Sequence, residues 1–246
     1  QWLIIREMDQ EENIFLIPEG WRIAEDPELG QVGVNRFANL GREVTLKAGI
    51  DRETDEVILR ISGKSSDTGV VSVFWGIEGV HFKTEKLIIP GQAGSYFNLQ
   101  SDQAAVALDY PVHWESQMVL YETDQGGFMF FANDEKALFK RILASRETGN
   151  LDFGVEMFAL APWINATKTP EIEWRFHAFR GDWRSGAARY RDWMRGVWPP
   201  DDSPARSWTQ SIMGVVTVFQ TDKRVVDRLR ETLVPEKTMI YLVDWR

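Results

Sequence analysis

Residues Gly181 to Pro200 read GDWRSGAARYRDWMRGVWPP, and they separate two architectures: sheet before them, alternating strand and helix after them. Asp182 stands where an N-cap belongs, its carboxylate able to accept from the free backbone N–H groups of a first helical turn. Trp183, Ala187, Tyr190 and Met194 then recur at helical spacing. One amphipathic helix is therefore expected, with Trp183, Tyr190 and Met194 buried and Arg184, Arg191 and Arg195 exposed. Gly196 is expected to end it in a left-handed conformation, and Pro199 and Pro200 prevent its resumption. The aromatic residues Trp183, Tyr190, Trp193 and Trp198 read as a core-facing stripe rather than a ligand platform, and the arginines as a solvated face.

Upstream, from Trp2 to about Phe179, short β-rich runs alternate with turn chemistry. Val44, Leu46 and Ala48 alternate with Thr45, Lys47 and Gly49, and Val57, Leu59 and Ile61 with Ile58, Arg60 and Ser62, the period of a half-buried strand. Further runs are Leu3 to Arg6, Ile14 to Ile17, Val70 to Trp75, Lys86 to Ile89, Ala104 to Leu108, Gln117 to Tyr121, Gly127 to Phe131, Leu138 to Leu143, Val155 to Leu160 and Ile172 to Phe179. Asp51 to Asp55 and Gly63 to Gly69 are turns, and Asp124-Gln125-Gly126-Gly127 is the clearest hairpin. So many evenly spaced strands without intervening helices predict a large antiparallel sandwich, since parallel strands need long crossovers.

Downstream, Ser211 to Phe219 and Thr238 to Val243 are near-continuous apolar runs, as expected of parallel strands covered on both faces. Between them, Thr221 to Val234 places Val225, Val226, Leu229 and Leu233 on one helical face. This predicts a βαβ unit, which cannot cover its own faces and is expected to open a larger α/β domain. The expected organisation is residues 1–180 as a β sandwich, 181–205 as linker helix and Pro-rich connection, and 206–246 as the beginning of an α/β domain.

With 246 residues, 43% hydrophobic and 26% charged, the composition is globular, and no run approaches the length of a transmembrane helix. The formal net charge of -9 argues against nucleic acid or an anionic membrane as partner. The absence of cysteine excludes disulfides, thiolate nucleophiles and Cys-based zinc sites. Gln1 in place of an initiator methionine suggests a processed or excised chain. Asn165-Ala166-Thr167 matches the short glycosylation pattern. No nucleotide, metalloprotease or serine-hydrolase motif is present, and no metal or cofactor is expected.

The histidines are His81, His113 and His177. Only His113-Trp114-Glu115 sets an imidazole beside a carboxylate in sequence, which strand alternation alone would produce. Carboxylates and aromatic rings remain, the chemistry of carbohydrate sites, in which Asp or Glu binds hydroxyls and Trp covers apolar sugar faces. Eleven Trp residues build such a site or a core equally well. Asp244 is the best-placed carboxylate, because it follows a buried parallel strand whose C-terminal end faces the ligand side in α/β folds. A loop cap is the alternative role.

Three stretches, DQGGFMFFANDEKALFK (Asp124 to Lys140), DWRSGAARYRDWM (Asp182 to Met194) and YLVDWR (Tyr241 to Arg246), give the chain a resemblance to a glycoside hydrolase group. Its members, such as α-galactosidases and endo-α-N-acetylgalactosaminidases, join a galactose-mutarotase-like β-supersandwich to a (β/α)8 barrel. The resemblance implies a mainly β fold, with the linker helix followed by the first βαβ of a truncated barrel. It also implies retaining hydrolysis by two carboxylates about 5 Å apart near the ends of middle barrel strands. Those strands are absent, so no catalytic residue is expected here. Asp244 and Trp245 match substrate-contacting positions, and carbohydrate and the remainder of the barrel are the expected partners. The alternatives are a noncatalytic carbohydrate-binding or structural module, and an aldose epimerase, which would need a histidine and a carboxylate converging in one cleft.

Overall fold

The computed structural model describes residues 2–8, 14–80, 86–91, 95–98, 105–145, 151–199, 211–218 and 223–242. In chain order the strands are β1 (Trp2–Glu7), β2 (Ile14–Phe15), β3 (Ile17–Asp26), β4 (Gly30–Asn39), β5 (Arg42–Asp51), β6 (Glu56–Ser65), β7 (Val70–Val80), β8 (Lys86–Ile89) and β9 (Ser95–Asn98). There follow β10 (Ala105–Tyr110), β11 (Met118–Thr123), β12 (Gly126–Ala132), β13 (Lys140–Ser145), β14 (Leu151–Phe158), β15 (Ile172–Arg180), β16 (Gly214–Val218) and β17 (Thr238–Leu242). The helices are α1 (Trp183–Val197) and α2 (Lys223–Thr232). The chain divides into two compact units, Gln1–Met194 and Arg195–Arg246.

The first unit is a sandwich of two sheets, six strands in the order β10-β13-β14-β7-β1-β2 and nine in the order β3-β4-β5-β6-β15-β12-β11-β8-β9. Every strand pair in both sheets is antiparallel among the described residues. Alternation puts Val44, Leu46, Ile61, Ile172, Trp174 and Phe130 of the larger sheet into one core with Leu3, Ile5, Val73, Trp75, Val155 and Met157 of the smaller. Each such side chain contributes about 1.5–3 kcal/mol by leaving water. At the centre, Trp174 stacks on Phe130 at 4.8 Å and lies parallel to Trp114 at 6.4 Å, so several of the tryptophans build core rather than sugar platforms. Among the described residues the only helical interruption before α1 is the 3-10 turn Trp163–Asn165.

Three local readings differ from expectation. The β3–β4 hairpin and β9 carry no clear period-two signal: β3 is solvent-exposed along nearly its whole length and is interrupted by Pro18 and by Gly20 at φ 101°. An edge strand exposed on both faces leaves no hydrophobic alternation to read. His113 lies in a turn, its N–H donating to the Asp109 carbonyl, and not in a strand.

The second unit holds β16 and β17 as a parallel pair, Gly214 opposite Thr238 through Val218 opposite Leu242. Helix α2 ends at Thr232, two residues before the Val234 that the apolar pattern predicts. Met213 and Val215 are 81% and 60% exposed, against the expectation of burial on both faces. One crossover helix can cover only one side of a two-stranded sheet.

Candidate functional site

Helix α1, up to Met194, lies on the outer face of the nine-stranded sheet. Asp182 caps it as the sequence predicts, accepting from the Arg184 N–H at 2.9 Å. Glu122 of β11 supplies a second acceptor the sequence did not reveal, taking the Trp183 N–H at 2.6 Å. These carboxylates satisfy two of the four unpaired donors and favour the positive end of the helix dipole. The buried face is centred on Gly186 and Tyr190, with Ala187 and Trp193 beside them against Leu120, Met129, Phe131 and Phe179. Trp183 and Met194, expected inside, are 39% and 37% exposed. The helix is rolled about its axis so that Gly186 faces the sheet at close approach, where an added Cβ would meet Leu120 and Phe179 side-chain carbons at 2.7 Å. Gly196 is not a left-handed stop either; it lies inside the helix, which ends at Val197. Arg184, Arg191 and Arg195 are exposed as predicted.

Beside this helix the sheet carries a network of charged side chains. Glu56 is fully buried and accepts from Arg189 of α1 twice, at 2.7 and 3.0 Å, and from Arg175 of β15 at 2.9 Å. Arg175 also binds Asp51 at 2.9 Å and Glu173 at 2.7 Å. Glu173 accepts in addition from Arg60 and from Asn133, both at 2.7 Å, and Asn133 takes the Trp193 indole N–H at 2.7 Å. Burial pushes the Glu173 carboxyl pKa up, but the hydrogen bonds from Asn133, Arg60 and Arg175 outweigh it and hold the group below its ordinary range. The same balance, with the Glu53 N–H and Arg175 as donors, lowers Asp51. Carboxylates held ionised by guanidinium groups are poor proton donors, so this cluster is suited to fixing the helix rather than to acid catalysis.

The network brings together one pair that sequence neighbours did not show: His177 Nδ1 lies 3.5 Å from Glu56 Oε1. A histidine and a carboxylate therefore do converge, as an epimerase requires. They do so around a carboxylate with no exposure to substrate and already engaged by two arginines. His81 lies outside the described residues.

A second polar cluster lies at the edge of the core. Lys140 is fully buried, donating to Asp134 at 2.8 Å, to the Leu138 carbonyl at 2.7 Å and to Gln117, with its ammonium 4.5 Å from the Tyr110 ring centroid. Burial lowers the Lys140 pKa against the opposing pull of Asp134. The backbone N–H of Gln117 donates to the Tyr190 hydroxyl at 2.9 Å, tying this cluster to α1, and burial pushes the Tyr190 phenol well above its ordinary pKa. Among the described residues no group of three His, Cys, Asp or Glu is placed to hold a metal.

The sequence-predicted sugar contacts, Asp244 and Trp245, lie outside the described residues, beyond the last residue of β17. No described helix is long and apolar enough to cross a membrane.

No protein-family model matches the sequence, and no curated protein does. Solved structures match the fold. The α-N-acetylgalactosaminidase NagBb from Bifidobacterium bifidum superposes with a TM-score of 0.67 at 11% identity, covering 99% of this chain and 46% of that one. The GH36 α-galactosidase AgaB from Geobacillus stearothermophilus gives 0.53 at 10% identity, covering 99% and 39%. The galactosidase domain of an α-galactosidase-sucrose kinase gives 0.50 at 15% identity, covering 73% and 30%. The chain thus spans less than half the length of each of these structures, and across almost all of its own length it has the fold of glycoside hydrolases.

Proposed function

We propose that this chain is the sandwich and opening βαβ of a glycoside hydrolase acting on O-glycosidic bonds, with the catalytic carboxylates carried on further barrel strands. In this reading residues 1–180 are the supersandwich, 181–205 the connection and 206–246 the beginning of the barrel. The observation that carries it is the order of elements, an antiparallel supersandwich followed by a parallel βαβ, matched at a TM-score of 0.67 over 99% of the chain by an enzyme named for α-N-acetylgalactosaminide chemistry. Asp244 and Trp245 follow β17, the ligand-facing end of a parallel strand, and are the proposed substrate contacts. An ionised Asp244 accepts hydrogen bonds from sugar hydroxyls, and Trp245 offers an apolar face. The ligand is a carbohydrate, and the remainder of the barrel is the partner that covers the open faces of β16.

The second reading, a noncatalytic carbohydrate-binding or structural module, is favoured by the locked state of the carboxylates around α1, which leaves no acid/base pair there. The test uses the complete gene product with aryl α-galactoside and aryl α-N-acetylgalactosaminide substrates. Turnover is expected in the complete protein, falling roughly ten- to a hundredfold in Asp244→Asn, the scale of one lost charge-assisted contact. Turnover of neither substrate class by the complete protein would refute the hydrolase reading, and unchanged kinetics in the variant would make Asp244 a loop cap.

A further inference from the structure

The β4–β5 hairpin breaks a local rule. Its two-residue turn is Leu40-Gly41, flanked by the pair Asn39 and Arg42, and both turn residues have positive φ, 46° and 78°. A type I′ turn requires this backbone, and asparagine or glycine ordinarily occupies its first position. Leucine there is strained, because its Cβ crowds the backbone in the left-handed region, and its side chain is 77% exposed to water. Among the described residues the two other non-glycine residues at positive φ are Asp55 and Ala137. Aspartate tolerates that region, and Ala137 is held by Asp134, whose side chain accepts from the N–H groups of Lys136 and Leu138. At Leu40 the support goes to the backbone carbonyl, which accepts from Arg42 Nη1 at 2.6 Å, a bond that glycine or asparagine in the same place would accept equally. A bulky apolar residue kept in a strained, exposed position points to a use outside folding.

Leu40 stands at the rim of a cavity of about 500 Å³, also lined by Arg36, Asn39, Arg42, Glu43, Lys64 and Ser66. That volume is in the range of small-molecule sites, roughly 300–1,000 Å³. Every cation at the cavity is matched by an acid. Arg36 pairs with Glu43, Lys64 with Glu43 at 3.2 Å, and Arg42 with Glu7 through two hydrogen bonds of 3.0 and 2.6 Å. Glu19 and Asp67 add further negative charge, each 3.7 Å from a guanidinium nitrogen. No positive charge remains uncompensated for a phosphate or sulfate. Hydrogen-bonding capacity does remain: Arg42 uses Nε, Nη1 and Nη2 once each on Glu7 and the Leu40 carbonyl, and a guanidinium carries five N–H groups. The ion pairs hold these donors and acceptors in fixed directions.

We propose that this cavity is a noncatalytic saccharide-binding site, in which the fixed Arg, Asn, Glu and Ser groups bind hydroxyls and Leu40 covers an apolar sugar face. Three cations against four carboxylates leave no positive excess for an anion, and many directed polar groups suit an uncharged polyol, while the exposed apolar side chain suits its C–H surface. The site shares only its ligand class with the hydrolase reading, and its test does not depend on turnover. Amide resonances of the 246-residue chain are followed by NMR during titration with raffinose and, separately, with inorganic phosphate. Raffinose is expected to shift the amides of residues 38–43 and 64–66 with millimolar affinity, and phosphate to leave them in place. Leu40→Gly, which relieves the strain, is expected to weaken raffinose binding at least about fivefold while the thermal midpoint holds or rises. Lys64→Ala, an exposed change, is expected to weaken binding severalfold. No raffinose response at these amides, a response to phosphate in its place, or unchanged affinity in Leu40→Gly would each overturn the proposal. Hydrolysis by the complete protein can fail or succeed without altering any of these outcomes.

Discussion

Replacing Glu56 by glutamine tests whether α1 is keyed to the sandwich by charge. The substitution keeps the shape of a side chain that has no solvent exposure, and removes the charge opposing Arg175 and Arg189. Those arginine side chains are only 15% and 24% exposed, so water can compensate neither fully. The new amide would also direct N–H donors at N–H donors. Breaking a buried pair by removing one member costs about 3–5 kcal/mol, much of it from the stranded partner. Asp51 and Glu173 retain part of Arg175, which places the expected loss near the lower end, ~3 kcal/mol. Urea unfolding at neutral pH gives the total, and hydrogen exchange of the α1 amides shows whether the loss is local to the helix. A double-mutant cycle with Arg189→Gln isolates the pair, for which coupling of roughly 1.5–3 kcal/mol is expected for hydrogen bonds between charged groups. A loss below about 1 kcal/mol with unchanged α1 exchange would refute the keying and leave the apolar contacts alone as the docking force.

Gly186→Ala gains about 1 kcal/mol in helix propensity but drives a methyl to 2.7 Å from Leu120 and Phe179, so a net loss of stability is expected, on the scale of ~1–3 kcal/mol for overpacking, and measurable by the same unfolding assay. Tyr190→Phe leaves the Gln117 N–H without its acceptor and should cost about 1–3 kcal/mol with little change in packing; stability equal to wild type would show that another acceptor takes over. Stability should also fall in acid. Asp51 and Glu173 have carboxyl pKa values below their ordinary range in the folded chain, so the unfolded state binds protons first as pH drops. Their contribution is complete above the unfolded carboxylate range near pH 4 and is lost as pH falls through the lower folded values; a flat midpoint between pH 5 and pH 2 would contradict it.

What the sequence made legible is what depends on near neighbours. Period-two alternation located Val44 to Ile50 because that strand buries Val44 and Leu46 on one face. It located Val57 to Ile61 as a strand but not its faces, since Val57 is 43% exposed while Ile58 and Ile61, on opposite faces, are both fully buried. Asp182 was legible because a cap acts on its own first turn. The β3 strand was not, since an exposed edge imposes no alternation. The roll of α1 was hidden for a different reason. Its apolar residues surround much of the helix, and the choice among faces is made by Gly186 against Leu120 and by Arg189 against Glu56, partners 133 residues apart in the last case. No local pattern encodes such a pairing. The composition likewise left eleven tryptophans open between core and sugar platform, and the structure places Trp75, Trp114 and Trp174 in the interior while Trp21 remains 54% exposed.

The placement of β15 between β6 and β12 has a bearing on how the chain can be made. Strands β3 to β6 form a meander of successive hairpins and can assemble as soon as they leave the ribosome, whereas the neighbour of β6 arrives only after β7 to β14 have been synthesised. Arg60 and Glu173, joined across that seam, are 113 residues apart. During synthesis the inner edge of the meander is therefore an open row of backbone donors and acceptors, bordered by Ile58 and Ile61, which are fully buried once the sheet closes. An intermediate of this kind is vulnerable to pairing with another nascent chain, and a chaperone that holds such edges would act on this half-sheet. The last strand to arrive is the one that joins the two halves of the sheet.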